Sequence, residues 1–362
     1  MKLIRLIAVL SVVSTVLLAC GSQAATTSPT SVPAAAAPTS VPTVAAAPTS
    51  APTGGAGSLV IYSGRSESLV KPLLEKFTAD TGIAVEVRYG STAEMAALIL
   101  EEGDNSPADV FFGQDAGALG ALNDQFIKLD DSLLNLVDAR FRSKAGTWVG
   151  VSGRARVLVY NPDALQVSDL PASILDLTNP VWKGRIGWAP TNGSFQAFVT
   201  ALRVANGEAA AKTWLEGMIA NGTQAFDNNG AVLQAVAAGE IDAGLINHYY
   251  LYAAKKDTAD IKAANYYFPN GDIGSLINVA GVGILRSSAN QEAAQTFVNY
   301  LLSNTAQQFF ADQTFEYPLI AGVATNAEIT PLAEISSPDI DLSDLQSLAA
   351  TLQLLQDVGA VK

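Results

Sequence analysis

The stretch SLVIYSGRSESLVKPLLEKFTADTGIAVEVRY, residues 58–89, decides the fold class. Its first five residues form an apolar run that is typical of a buried strand. Apolar residues then recur at helical spacing, and Gly82 is the predicted end of this helix. These apolar residues are Leu69, Val70, Leu73, Leu74 and Phe77. A second strand follows at residues 84–89, so the order predicts two parallel strands joined by a helix.

The same alternation continues along the chain. Ser91 and Glu94 have the spacing of a capping box, which predicts the start of a second helix. Residues 109–112 predict a third strand, and residues 118–122 predict a short helix. The pattern indicates an α/β fold with a largely parallel sheet and helices on both faces.

A second α/β body is predicted beyond residue 151. Residues 157–160 look like a strand that crosses into it, and residues 279–285 look like the strand that returns. Between them lie predicted strands at 185–188 and 243–246 and predicted helices at 195–204, 209–219 and 231–238. A helix over 291–304 should rejoin the first body. Two lobes joined by two crossovers enclose a cleft, where loops after the strands should meet.

The N-terminus predicts export. Lys2 and Arg5 precede an apolar stretch, and residues 17–20 read Leu-Leu-Ala-Cys. This pattern is typical of a secretory signal over residues 1–19. Its end resembles a bacterial lipobox, which implies lipidation of Cys20. Because Cys20 is the only cysteine in the sequence, it has no partner for a disulfide within the chain.

Residues 20–57 then form a predicted tether. After Cys20 the stretch is built almost wholly of Ala, Pro, Thr, Ser, Val and Gly, a composition that cannot bury a core and favours disorder. Without residues 1–19 the chain keeps 19 of its 21 basic residues against 34 acidic ones, a net charge of −15. This balance argues against nucleic acid as a partner and against membrane contact other than the lipid anchor.

Two adjacent tyrosines, Tyr249 and Tyr250, are the candidate metal ligands. They lie in the segment Gly-Leu-Ile-Asn-His-Tyr-Tyr-Leu-Tyr, residues 244–252, at the end of an apolar run. A phenol titrates near pH 10, so a strong Lewis acid such as Fe(III) is needed to hold two phenolates at neutral pH. The alternative is that both rings pack in a core or line a cleft. His248 beside them has the same two interpretations, ligand or packed side chain.

Two predicted helix starts are candidate anion-binding sites. Residues 191–194, Thr-Asn-Gly-Ser, and residues 228–230, Asn-Asn-Gly, each precede a helix and offer free backbone N–H groups. Ordinary capping by Ser194 and Asn229 is the alternative. Arg65 could pair with an anion or with a surface carboxylate.

Two acidic residues near the first strands are candidate cation ligands. Glu67 could bind a metal or could occupy a helix first turn, and Asp115 could bind a metal or cap a helix. The chain contains one histidine and no Gly-Lys-Ser/Thr phosphate loop. Hydrolysis and phosphoryl transfer are therefore poorly supported, and the protein is predicted not to be an enzyme.

From about Ser58 to Lys362 the chain resembles bacterial ferric-ion-binding proteins, the solute-binding components of iron(III) ABC importers. The matching stretches are 61–64, 102–111, 151–156, 182–187, 229 with 233–236, 245–250 and 316–319. The resemblance implies a type II periplasmic-binding-protein fold. It also implies a monomer that closes on its ligand and delivers it to an ABC permease and its ATPase.

The resemblance further implies a site. Tyr249 and Tyr250 match the iron-binding tyrosines. A synergistic anion of the carbonate or phosphate type would lie against the loop of Asn192, Gly193 and Ser194. Two more residues, Asn229 and Asn247, match other anion-contacting positions.

Two positions depart from the family pattern. Ser66 stands where many members have a histidine, and Gln114 stands where many have a glutamate. Both are weak ligands of Fe(III). The anion could supply the remaining negative charge, or Glu67 or Asp115, each adjacent to one of these positions, could act as an additional ligand.

The predicted domains are a signal peptide (1–19), the lipidated tether (20–57) and two lobes. Lobe 1 comprises 58–151 plus about 272–316, and lobe 2 comprises 152–271 plus about 317–362. Each lobe should hold a mainly parallel sheet flanked by helices. The predicted location is the outer face of the cell membrane, or the periplasm. The alternative function keeps the fold but binds a phosphonate, a phosphate-like anion or another small solute without iron.

Overall fold

The computed structural model of the protein describes residues 57–361. The predicted signal peptide, Cys20 and the tether up to residue 56 lie outside this range. Within it, no helix has both the length and the apolar character needed to cross a membrane.

The described residues alternate strands and helices. The strands are β1 (Ser58–Ser63), β2 (Ala84–Tyr89), β3 (Val110–Gly113), β4 (Val149–Tyr160), β5 (Ile186–Trp188), β6 (Gln224–Ala225), β7 (Ala243–Asn247), β8 (Ala264–Tyr266) and β9 (Ile277–Ile284). The helices are α1 (Glu67–Thr81), α2 (Thr92–Glu102), α3 (Ala116–Ala121), α4 (Asp131–Leu134), α5 (Gly193–Asn206), α6 (Glu208–Ala220), α7 (Asn229–Ala238), α8 (Tyr249–Asp257), α9 (Gln291–Leu301), α10 (Asn304–Gln313) and α11 (Leu348–Asp357). Short 3-10 turns connect several of them.

The strands form a continuous path in the order β2-β1-β3-β9-β4-β7-β5-β6, with β8 pairing β4. Parallel pairs occur at both ends of this path, β1 with β2 and β3, and β5 with β6 and β7. The central pairs that involve β4 and β9 are antiparallel. Two parallel groups are therefore joined through antiparallel central strands.

The long strand β4 connects the two halves of the sheet. Its first part, from Val149 to Ala155, pairs with β9. Its second part, from Arg156 to Tyr160, pairs with β7. All twelve of its residues are buried, as the crossing requires. The predicted crossing strand at 157–160 is thus the end of a longer strand.

The first half forms as its sequence pattern indicates. In α1 the buried residues are Val70, Leu73, Leu74 and Phe77. Gly82 ends this helix in the left-handed conformation, with φ of 74°, which glycine adopts without a steric penalty. Both hydrogen bonds of the capping box form at the start of α2. Phe77 then packs edge-to-face on Phe297 of α9, with ring centroids 5.1 Å apart, so α9 lies against α1.

The second half packs α5 and α6 together and places α7 against β7. Aromatic rings pack between α5, α6 and β5. The centroid of the Trp188 ring lies 5.3 Å from that of Phe195 and 6.2 Å from that of Trp214. The α7–β7 contact is close because Gly244 has no side chain. A Cβ atom at Gly244 would lie 2.2 Å from Val232 Cγ1.

Two regions differ from the sequence prediction or were not predicted. The predicted helix 291–304 is α9, which ends three residues earlier at Leu301, and the helix α10 that Ser303 caps was not predicted. The C-terminal turn Leu342–Gln346 contacts both α3 and α5, and α11 packs mainly on α5. The predicted assignment of 317–362 to lobe 2 remains a prediction, as do the other domain boundaries.

Candidate functional site

Tyr249 and Tyr250 are the first two residues of α8, directly after β7. Their rings stack, with centroids 4.4 Å apart and planes inclined by 24°. Tyr249 is 3% exposed, and Tyr250 is half-buried. His248, which precedes the helix, makes no side-chain capping hydrogen bond, so the positive end of the α8 dipole is close to both rings.

The surroundings of Tyr249 combine burial with positive charge. Burial, and then the neighbouring charge of Tyr250, raise the pKa of Tyr249 well above its ordinary value, whereas Arg65 and Arg154 act to lower it. Neither phenol makes a hydrogen bond with another group in residues 57–361. Tyr62, Tyr266, Tyr300 and Tyr317 each donate one, whereas the buried Tyr267 hydroxyl also has no partner in the described residues. Two unpartnered hydroxyl groups side by side are suited to bind an external Lewis acid.

His248 is a packed side chain in this structure. It is fully buried, its Nδ1 accepts the Ala155 N–H at 3.1 Å, and its Nε2 lies 2.8 Å from the Phe315 carbonyl oxygen. That carbonyl can only accept, so Nε2 carries the proton. The ring also stacks on Tyr317 at 4.7 Å. Both nitrogens are engaged, which favours the packing interpretation over the ligand one.

Acid should destabilise the fold through His248. Burial lowers the pKa of His248 to about 4, from about 6.5 in an unfolded chain. The unfolded state therefore binds more protons between these values, and stability falls as the pH falls through this window. Between pH 7 and pH 5 the free energy of unfolding of the wild type should fall by about 2 kcal/mol more than that of His248→Gln. Urea denaturation at the two pH values would measure this difference.

Asp115 changes the pH dependence of stability in the direction opposite to His248, so the comparison has to cancel its effect. Burial raises the pKa of Asp115 to about 6, so its contribution to stability falls as the pH rises between about 4 and 6. Asp115 is present in both proteins of the comparison, so its effect cancels. Because His248 is the chain's one histidine, its imidazole resonance provides an independent check. A midpoint near 6.5 in the folded protein would contradict this account.

Arg65 forms a buried ion pair instead of facing an open anion site. Its Nη1 and Nη2 donate to the two carboxylate oxygens of Glu316 at 3.0 and 2.6 Å, and neither side chain is exposed. Thr314 donates a further hydrogen bond to Glu316. Of the two partners considered from the sequence, Arg65 therefore has a carboxylate, but this carboxylate is buried and not on the surface. Arg65 still lies close enough to the tyrosine pair for its charge to act on both phenols.

Ser194, in the first turn of α5, collects donors from several elements. Its Oγ receives Asn247 Nδ2 at 3.0 Å, Gln114 Nε2 at 3.2 Å and Arg154 Nε at 3.3 Å. Asn247 ends β7, Gln114 follows β3, and Arg154 belongs to β4. The structure therefore brings Gln114, Ser194 and Asn247 together.

The helix caps are one or two residues earlier than the sequence interpretation placed them. Asn192 accepts the Ser194 N–H at 3.0 Å, and Asn228 accepts the Ala231 N–H at 2.9 Å. Ser194 and Asn229 are thereby free of the capping role. Asn229 is fully buried, and its Oδ1 has no hydrogen-bond partner in the described residues.

A cavity of about 330 Å³ lies where the predicted loops meet. Its lining consists of Gly64, Ser66, Gly90, Ser91, Thr92, Gln114, Thr191, Asn192, Gly193 and Asp227. Gly193 is required here, because a Cβ atom would lie 2.9 Å from Asp115 Oδ2. Asp115 itself caps α3 by accepting the Ala118 N–H at 2.9 Å. Gln114 connects this cavity to the Ser194 hydroxyl and so to Arg154, whose charge acts on Tyr249.

Glu67 lies on the surface. It accepts a hydrogen bond from Lys71 at 2.8 Å, and both side chains are more than half exposed. It lines a separate groove of about 440 Å³ between α1 and β2. In this conformation it does not reach the tyrosine pair, and its role as a ligand remains a prediction.

Arg154, Arg156 and Glu316 were not identified as site residues from the sequence. Arg156 is buried, lies 5.2 Å from both the Phe195 and Phe198 rings, and donates to the Leu245 carbonyl. The sequence does contain an indication of the two arginines, because they are the only charged residues in the mostly apolar segment 149–160. Buried charges in such a strand are costly unless paired or functional.

The protein side chains near the tyrosine pair could hold a metal only together with an anion, because they offer too few ligands by themselves. Residues 57–361 contain no group of three or more His, Cys, Asp or Glu side chains placed to hold a metal. Two phenols and one anion would therefore supply most of the oxygen ligands. Hard oxygen ligands suit hard cations, of which Fe(III) is the one that deprotonates phenols most readily.

The two-lobed α/β fold, with a cavity beside the helix N-termini at Ser91 and Asn192, is that of a solute-binding protein. A family model for bacterial extracellular solute-binding proteins matches residues 94–341, and the chain belongs to this family. A similar relative is the Fe(3+)-binding periplasmic protein of Serratia marcescens. It is 37% identical over 306 residues, which are 83% of this chain and 90% of the relative.

Solved structures agree with this assignment. Iron-bound HitA from Pseudomonas aeruginosa superposes with a TM-score of 0.80 at 36% identity, covering 83% of this chain and 99% of HitA. Trichodesmium IdiA (FutA), in complex with iron and citrate ligands, gives 0.72 at 32% identity, covering 84% and 99%. The predicted resemblance to ferric-ion-binding proteins and the predicted two-lobed fold are both confirmed. At the level of the family, the protein is a solute-binding component and not an enzyme.

Proposed function

We propose that this protein binds Fe(III) through Tyr249 and Tyr250, together with an anion, and delivers it to an ABC permease. The observation that carries the proposal is the stacked pair of phenols whose hydroxyl groups have no hydrogen-bond partner in residues 57–361. The names of the relatives and structural neighbours support the choice of iron.

Each part of the site has a role in this proposal. The two phenolates bind the metal, and the charge of Arg154 favours the ionised form of Tyr249. Ser194, Asn229 and Asn247 hold the anion, with the loop at Asn192 and Gly193. The anion fills metal positions that neutral Ser66 and Gln114 leave open. Asp115 is retained as an additional carboxylate candidate, because it adjoins Gly193.

The proposed location is outside the cytoplasm. The names of periplasmic and extracellular relatives support export. We further propose that Cys20 carries a lipid that holds a monomer at the membrane surface, and that the permease and its ATPase receive the iron there. The tether would let the binding body move between the medium and the permease.

Iron loading tests the proposal directly. The purified full-length protein should take up one iron per chain from ferric citrate and develop a visible phenolate-to-iron charge-transfer band. Metal analysis and absorbance spectroscopy would measure both. A protein that stays colourless and metal-free under these conditions would overturn the iron assignment.

A second candidate is the binding of a small oxyanion without iron. The excess of hydrogen-bond donors around Ser194 favours it. Calorimetry in iron-free buffer with phosphate and a small phosphonate separates the two candidates. Micromolar affinity for one of these anions, with no iron uptake, would support this function in place of the first.

A further inference from the structure

Strand β2 forms an open edge of the sheet. It lies at one end of the strand path and pairs only with β1 in residues 57–361. The strand at the other end, β6, is two residues long, and so short an edge offers little backbone for pairing. In contrast, β2 is six residues long, contains no proline and pairs with β1 without a bulge. A long, regular edge of this kind can accept one more strand.

Every second residue of β2 presents its backbone polar groups at this open edge. The Ala84 N–H donates to Gly57 and the Gly90 N–H donates to Ser63, at the two ends of β1. Because backbone groups alternate in direction along a strand, the even-numbered residues face β1 and the odd-numbered residues face outward. The outward N–H and C=O groups, which have no partner in the described residues, are those of Val85, Val87 and Tyr89.

The side chains of β2 separate into an apolar face and a charged face. Val85, Val87 and Tyr89 are half-buried and line the groove of about 440 Å³ between α1 and β2. Glu86 and Arg88 belong to the opposite face and are exposed. Neither of them forms an ion pair in residues 57–361. The edge therefore carries two unlike charges that lack partners.

Two copies of this edge are complementary to each other. If they run antiparallel about a two-fold axis at Val87, then Val87 faces its own copy and Val85 faces Tyr89. These are the residues with outward backbone groups, so the paired strands exchange about six hydrogen bonds. The same register places Glu86 opposite Arg88, with Cα atoms about 4.5 Å apart. Unlike charges directly opposite each other stabilise such a pair.

The charges select this register over its neighbours. A two-fold axis at Glu86 would place that carboxylate opposite its own copy, and an axis at Arg88 would do the same with the guanidinium. Like charges directly opposite each other are destabilising. Arg88 now lies 5.4 Å from the centroid of the Tyr62 ring, and as an exposed side chain it can turn toward the second copy.

The apolar face also gains a partner in this register. Val85 and Tyr89 meet as a β-branched and aromatic pair on each side of the central valines, a combination that stabilises antiparallel strands. Together they continue the apolar wall that Leu74 of α1 begins in the groove. The exposed Glu67 and Lys71 of α1 line the same groove, so the rim of the interface is charged.

We infer that the open edge of β2 is a self-association surface, on which two copies of this protein pair reversibly into one continuous sheet. One strand from each copy forms most of the interface, so its area is at the small end of the known range and the association is weak. The monomer of the proposed function is the dilute form. No residue of β2 lines the cavity beside Gly193, so pairing leaves that cavity uncovered.

Sedimentation velocity of the purified full-length protein, from about 1 µM to about 300 µM, measures this association. The wild type should shift from monomer toward dimer over this range. Glu86→Arg places two guanidinium groups opposite each other at both symmetric pairs and should weaken the dimer by about tenfold or more. Adding Arg88→Glu to this variant should restore the dimer, because the exchange recreates both unlike pairs. A wild type that stays monomeric throughout overturns the inference.

Two further variants make the test specific. Val87→Pro removes the central N–H, at an edge position where the monomer tolerates proline, and should abolish the dimer. Glu240→Arg makes the same charge change on an exposed residue outside β2 and should leave association unchanged. If Val87→Pro does not fold, as judged by circular dichroism, the charge exchange decides the question. Association that Glu86→Arg leaves unchanged arises at another surface and overturns the inference.

Hydrogen exchange identifies what covers the edge. The amides of Val85, Val87 and Tyr89 should become more protected as the protein concentration rises, because a second copy binds there. Equal protection at every concentration would show that another part of the same chain, such as the predicted tether, occupies the edge. That result would overturn the inference, as would the absence of protection at every concentration.

Discussion

Replacing Tyr249 with phenylalanine should abolish the iron-dependent absorbance and leave the stability of the metal-free protein nearly unchanged. The substitution removes one of two proposed phenolate ligands. Changes in residues that only support a metal ligand already cost 10- to 100-fold in affinity, so the loss of the ligand itself should reduce iron affinity by at least about 100-fold. Competition with a chelator, followed by absorbance, would measure this.

The substitution should change the stability of the metal-free protein little. The Tyr249 hydroxyl makes no hydrogen bond in the described part of the chain, so its removal leaves no partner unpaired, and the free energy of unfolding should change by less than about 0.5 kcal/mol. A structural tyrosine would show a clear loss of stability, because its removal would leave a partner unpaired.

Two comparisons make the result specific. Tyr250→Phe should lose the iron band in the same way, since both phenols are proposed ligands. Tyr252→Phe, on the same helix and against Phe315, should keep it. Retention of the band in Tyr249→Phe, or a loss of iron together with a marked loss of stability, would contradict the proposed role.

The order of elements could be predicted because the local signals are strong. The apolar spacing in residues 58–89, the glycine at 82 and the capping box at Ser91 each depend on neighbouring residues in the chain. The structure reproduces all three. Helix α10 was missed because its cap at Ser303 was assigned to the last turn of the predicted helix 291–304.

The site could be predicted only in part. Tyr249 and Tyr250 are adjacent in sequence and share one environment, so their pairing was visible. The ion pair of Arg65 with Glu316 joins residues 251 positions apart, and no local pattern indicates it. The donors around Ser194 likewise come from three separate elements. Which buried arginine pairs with a carboxylate is decided by these long-range contacts and not by sequence position.

Replacing Glu316 with glutamine should give the largest loss of stability among these variants. The change leaves the Arg65 charge buried without its partner, and breaking a buried ion pair in this way costs about 3–5 kcal/mol. The pair is bidentate, and neither side chain is exposed. Urea denaturation at pH 7 would measure the loss. Glu67→Gln, which breaks the exposed pair with Lys71, is the matched control and should show no measurable change.

The Arg65–Glu316 ion pair also determines how the stability lost in Glu316→Gln depends on pH. Burial acts to raise the pKa of Glu316, but the charge and hydrogen bonds of Arg65 outweigh it and lower the pKa below its ordinary value. The stabilisation is therefore fully present above the pKa of an unfolded glutamate, about 4.3, and is lost as the pH falls through the folded value. The difference between the wild type and Glu316→Gln should be constant from pH 5 to pH 8 and shrink below about pH 4.

A double variant separates this structural role from binding. Arg65→Met combined with Glu316→Met removes both charges and should recover most of the lost stability, because buried ion pairs are often replaceable by apolar residues. Arg65 lowers and Glu316 raises the pKa of Tyr249, so removing both leaves the phenol in a similar field. The double variant should therefore keep its iron band. Loss of the band in a stable double variant would instead place the ion pair among the groups that bind the ligand.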